Sequence, residues 1–141
     1  MQEIHKVGFV IIHQEGGIAR VLLAKTKPGQ WRFPDQALAV ALSQCDKDAA
    51  EPFRHALDAG KTSYLSNIYY RDAREDSRVS RFFALLSAAP DAALAAVART
   101  LDCETRWASF EEAGWVVAAA QLEVAQWAER LLASKANDAA V

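Results

Sequence analysis

Two apolar runs joined by a glycine turn constrain this chain most. Val7-Gly8-Phe9-Val10-Ile11-Ile12 is rich in β-branched side chains and bounded by polar residues, which predicts a strand. Gln14-Glu15-Gly16-Gly17 supplies turn chemistry, and Ile18-Ala19-Arg20-Val21-Leu22-Leu23-Ala24 follows as a second strand, completing a β-hairpin. The first run is too short to span a bilayer. The segment before it, Met1-Gln2-Glu3-Ile4-His5-Lys6, lacks the basic-then-apolar order of a signal peptide. A cytoplasmic protein with no membrane partner is expected.

Lys25-Thr26-Lys27-Pro28-Gly29-Gln30 reads as a loop leading into Trp31-Arg32-Phe33-Pro34, and the apolar residues 37–42 read as a short buried strand. Asp46-Lys47-Asp48 has the polar, acidic character of a helix start, and Pro52 suits a first turn. Phe53, Ala56, Leu57 and Gly60 recur at helical spacing, so a helix over residues 48–59 is predicted, buried through Phe53, Ala56 and Leu57. Residues 63–71 and 77–86 read as strands around a solvated turn, Asp72-Ala73-Arg74-Glu75-Asp76. Pro90-Asp91 opens an alanine-rich helix that places Leu94, Val97 and Leu101 in register, and residues 104–107 read as another strand. Ser109-Phe110-Glu111-Glu112 is a capping box that starts a further helix. Residues 118–135 form an amphipathic helix carrying Leu122, Ala125, Trp127, Leu131 and Leu132, and residues 137–141 are expected to be a flexible tail.

At 141 residues the chain fits one domain, expected over residues 1–136, and 52% hydrophobic with 24% charged residues is ordinary globular composition. A net charge of -2 and a pI near 5.9 give no electrostatic basis for bulk nucleic-acid binding, though a nucleotide needs only a local positive pocket. Cys45 and Cys103 fit no metal-ligand spacing and read as reduced thiols.

The order of hairpin, Trp-x-Phe-Pro loop, helix, strand pair, Trp-bearing strand and closing helix resembles the Nudix hydrolase family. Pro28-Gly29-Gln30-Trp31-Arg32-Phe33-Pro34 is similar to that family's G-x-W-x-F/L-P segment, and Arg81-Phe82-Phe83-Ala84-Leu85-Leu86 to the strand after its catalytic box. Glu104-Thr105-Arg106-Trp107-Ala108-Ser109-Phe110-Glu111-Glu112-Ala113 is similar to its E-x-x-W-x-S/P-x-E-E-A segment. The resemblance implies an α/β/α sandwich around a mixed sheet. It also implies, in a working member, a divalent cation (Mg²⁺ or Mn²⁺) held by helix glutamates against a diphosphate.

The box, G-x5-E-x7-R-E-U-x-E-E-x-G-U with U apolar, is where this chain departs. Asp35 and Gln36 stand where the glycines would follow Pro34, and the interval to Arg54, the box arginine, is about four residues longer than the family's. Aligned on Arg54, Asp46 takes the first glutamate position and His55 replaces the glutamate after the arginine. Asp58 and Ala59 replace the next two, and Lys61 the glycine. Removing hard oxygen donors removes the charge that holds Mg²⁺.

Three functions follow as expectations. The first is a degenerate Nudix-like domain that binds a nucleotide-type or other phosphorylated ligand, or a partner, with little or no pyrophosphohydrolase activity and no metal cofactor. The second is an active hydrolase of a nucleoside diphosphate linked to another moiety. It would use Asp58, His55 and Glu51 catalytically and hold a metal at Asp46, Asp58 or Glu104. The third is a structural or homodimerising module built on the C-terminal helices. Glu51, His55 and Asp58, spaced four and three apart, share one helix face that can chelate a metal or simply meet solvent, with Arg54 paired to Asp58. Trp31 can stack on a base or pack in the core, where Phe33 belongs, while Lys25, Arg32 and Arg54 are candidate phosphate contacts and Lys27 flanks them. His5 and His13 read as strand-end histidines.

Overall fold

The computed structural model describes residues 4–26, 29–42, 47–58, 61–66 and 69–139, with backbone alone for 38–42, 47–49, 58 and 136–139. In chain order the first elements are β1 (Ile4–Glu15), β2 (Ile18–Thr26), β3 (Gln30–Arg32), β4 (Asp35–Leu42), α1 (Lys47–Asp58) and β5 (Thr62–Tyr64). Then come β6 (Arg71–Glu75), β7 (Arg78–Ser87), α2 (Pro90–Leu101), β8 (Glu104–Ser109), α3 (Phe110–Val116) and α4 (Ala119–Ala139).

The hairpin turns through Gly16 and Gly17 at φ of 60° and 81°, values that suit a residue with no Cβ. β1 and β2 pair only near this turn, from Ile12↔Val21 to Glu15↔Ile18, and then part. The Trp-x-Phe-Pro segment enters the gap: β3 pairs antiparallel with the end of β2, and β4 with the start of β1. At the junction the Phe9 amide donates to the Pro34 carbonyl at 2.9 Å. That approach requires Gly8, since a Cβ there would lie 2.9 Å from the same carbonyl and clash with the edge of the Phe82 ring. β7 runs parallel to β1, β5 and β6 pair antiparallel with β7, and β8 pairs antiparallel with β2, giving one mixed sheet.

Strand alternation sends successive side chains to two buried faces. Phe9, Ile11, Leu22, Ala24, Phe83 and Leu85 meet Ala50, Phe53 and Leu57 of α1 with Ala93 and Val97 of α2. Val10, Ile12, Val21, Leu23, Phe33 and Phe82 meet Ala113 of α3 with Val124, Ala125, Ala128 and Leu132 of α4. The buried stripe of α1 is therefore Ala50, Phe53 and Leu57, while Ala56 is exposed. The helix begins at Lys47, which leaves Pro52 beyond the first turn, where its missing N–H removes one helical bond. The Ser109–Glu112 capping box forms as expected.

Two expectations about local structure need correction. Residues 72–76, read as a solvated turn, belong mainly to β6. Its charges are accommodated across the β6–β7 ladder, where Arg81 forms two bonds to Asp72 at 2.8 and 2.9 Å. The turn contracts to Asp76-Ser77, with Asp76 left-handed at φ 55°, a conformation aspartate tolerates. Of the strand read over residues 63–71, the described residues form only Thr62–Tyr64 at β5, with Arg71 opening β6. α4 spans Ala119–Ala139. Near its start Gln121 is fully buried, and its side-chain oxygen accepts the Phe33 amide at 2.9 Å, locking α4 onto the Trp-x-Phe-Pro segment.

Candidate ligand site

Among the described residues, Arg54 organises the polar face of α1. Arg54 grips the Glu51 carboxylate from Nε at 3.1 and 3.3 Å and from Nη2 at 3.2 Å, while His55 lies 3.4 Å from the same group. Arg54 also donates to the Thr62 carbonyl at 3.1 Å and lies 5.4 Å over the Tyr64 ring, tying α1 to β5. The Arg54 bonds, with smaller help from Tyr64 and His55, hold the Glu51 carboxyl below its ordinary pKa. The carboxylate described against Arg54 is thus Glu51. Asp46 and the side chains of Asp58 and Ala59 lie outside the described residues.

These donors do not suit a hard divalent cation. Both Glu51 oxygens already accept from a guanidinium, which a metal would have to displace, and the 70%-exposed His55 offers Mg²⁺ only nitrogen. Among the described residues no group of three or more His, Cys, Asp or Glu side chains is placed to hold a metal. Glu104, the remaining metal candidate, stands on β8 beside a different feature.

That feature is an open cavity of about 660 Å³ between the end of β2, the start of β4 and the α2–β8 connection, residues 101–104. Lys25, Thr26, Gly29, Asp35, Asp102 and Glu104 contribute to its wall. Ladder register explains its neighbour. Trp31, Lys25 and Glu104 lie in one row across β3, β2 and β8, and Arg106, two residues further along β8, shares their face. The Lys25 ammonium lies 5.9 Å and the Arg106 guanidinium 5.0 Å from the Trp31 ring centre. Among the described residues neither cation has an ion-pair partner, and Arg106 Nε is buried without a hydrogen bond. The arrangement joins an aromatic ring to two positive charges. Sequence reasoning named Trp31 and Lys25 but missed Arg106, although β-strand alternation from Glu104 places it on their face.

Arg32 is spent elsewhere, bridging Asp35 at 2.7 Å and Glu75 at 3.0 Å. The Asp35 side chain is 8% exposed. Burial pushes its pKa up, and the opposing pull of Arg32 and Lys6 does not cancel that rise. A raised carboxyl pKa means that the folded state binds the proton more tightly than the unfolded one. Asp35 therefore contributes stability below the unfolded carboxylate pKa of about 4, and that contribution is lost as pH rises through the folded pKa. Urea melts across the acid range should show the wild type losing stability relative to Asp35→Asn as pH climbs. A difference that grew in the wild type's favour would contradict this account of Asp35.

No family model and no curated protein matches the chain. Solved structures do match. A C. elegans Ap4A hydrolase in a binary complex aligns over 93% of this chain and 98% of its own, with TM-score 0.65 at 15% identity. Shewanella oneidensis NrtR bound to a 27mer DNA aligns over 94% of this chain but 63% of its own, with TM-score 0.58 at 17% identity. The NUDIX domain of the same NrtR, complexed with ADP ribose, aligns over 94% and 89%, with TM-score 0.51 at 16% identity. At these identities the likeness is one of fold, and it extends along nearly the whole chain. The chain carries the Nudix fold, a mixed sheet between two pairs of helices.

Proposed function

We propose that this Nudix-fold domain binds a nucleotide-type or otherwise phosphorylated small molecule without metal-dependent pyrophosphohydrolysis. The observation that carries the binding half is the Trp31–Lys25–Arg106 cluster, which shares Lys25 with the lining of the 660 Å³ cavity. An indole offers a stacking surface worth about 1–3 kcal/mol per base. Two cations with no ion-pair partner among the described residues suit an anion, and a guanidinium pairs with phosphate in two-pronged fashion. The ADP ribose complex of the NrtR NUDIX domain is the precedent for the ligand class. The Glu51–Arg54–His55 contacts support the other half, because they engage the Glu51 carboxylate that a metal would need.

Thermal unfolding with ADP-ribose, dinucleoside polyphosphates and nucleotides, each with and without Mg²⁺, tests the binding. A ligand at about one hundred times its dissociation constant adds about 2.7 kcal/mol. That gain should appear without metal and vanish in Trp31→Ala and Arg106→Gln. Stabilisation by none of these ligands, or stabilisation undiminished in both variants, would overturn the reading.

A further inference from the structure

A second feature lies on the α3–α4 layer and is independent of the ligand site. Trp115 is 74% exposed, more than Ile18, Tyr69 or Tyr70 among the exposed large apolar residues. It stands at the rim of a groove of about 370 Å³ between α3 and α4. Phe110 and Gly114 wall the groove on α3, and Leu122, Ala125 and Gln126 continue it along one stripe of α4 at helical spacing. The only charged lining residues among those described are Glu111 and Glu129, one on each wall, and neither has an ion-pair partner among the described residues. Glu112, next along α3, is occupied by its capping box with Ser109.

We infer that this groove docks an amphipathic helix of another protein whose apolar stripe is flanked by lysine or arginine. Tryptophan is the residue type most often found as a binding anchor, and a grooved pair of helices accepts a helix through i, i+3, i+4 and i+7 side chains. Charge decides which helix. Two unpaired carboxylates on opposite walls attract basic flanks and repel acidic ones. The same charges disfavour a second copy of this chain. A twofold contact of this face with itself would gather Glu111 and Glu129 from both copies with no cation in the groove.

The test is anisotropy of a labelled synthetic helix with leucines at i, i+3, i+4 and i+7 and lysines flanking them, beside a twin with glutamates in place of lysines. The lysine helix should bind saturably and the glutamate twin should not. Trp115→Ala, and separately Glu111→Lys with Glu129→Lys, should each weaken binding at least about tenfold, and added salt should weaken it further. All three positions are exposed, so the variants should keep the wild-type melting temperature. If the double reversal fails to fold, Trp115→Ala alone decides the question. Equal binding of both helices, no saturation by the lysine helix, or indifference to Trp115→Ala would overturn the proposal. So would self-association of the wild type that Trp115→Ala abolishes, since the occupant would then be a second copy.

Discussion

Phe53→Ala should destabilise the domain by about 3–5 kcal/mol, measured by urea denaturation. Phe53 is buried at 3% exposure, and its ring stacks on Phe9 with centroids 5.4 Å apart and planes 28° apart. Phe9 in turn meets Tyr64 and Phe83 at 6.4 Å each, so removing the Phe53 ring opens a cavity at the centre of an aromatic cluster. The neighbours cannot collapse into that space easily. Phe9 is held in the middle of β1, and its amide is bonded to Pro34. His55→Ala, two residues further along the same helix but on its exposed face, should stay within about 0.5 kcal/mol of wild type. Similar costs at the two positions would mean that α1 presents a different face to the sheet.

The fold was legible where pattern and covalent geometry agree. The glycine turn, the capping box and the Pro-led α2 each have one physical solution, and α2 occupies Pro90–Leu101 as the alanine-rich periodicity predicts. β6 was hidden because an edge strand can be as polar as a loop. Its charges face solvent or an ion-pair partner across the ladder, so composition alone cannot separate strand from turn. Ala50 replaced Ala56 in the buried stripe because the phase of a short helix is set by its packing partners. Alanine does not reveal which side it occupies.

The site was legible in part. Trp31 and Lys25 lie in the segment that carries the family resemblance, and their proximity follows from the antiparallel register of β3 with β2. Arg106 comes from a strand roughly eighty residues away, so only tertiary pairing reveals it. Arg54 and Arg32 looked alike in sequence as free phosphate contacts. Folding commits both to carboxylates, Arg54 to Glu51 and Arg32 to Asp35 and Glu75. Gln121 gave no functional signal, yet it anchors the Phe33 amide that positions this region.

The central claim is that the Nudix fold is retained here for binding, while α1 has become structural. Metal-dependent hydrolysis needs carboxylates that are free to bind a cation, and Glu51 is held by Arg54. A working hydrolase accelerates its reaction by about a million-fold or more. If α1 holds no catalytic metal, as we propose, turnover should not rise above background. The deciding measurement is product release from ADP-ribose, a dinucleoside polyphosphate and nucleoside triphosphates, followed with Mg²⁺, with Mn²⁺ and with chelator. The account predicts equal, background rates in all three conditions. Robust turnover that requires metal and disappears on Asp58→Asn would contradict it.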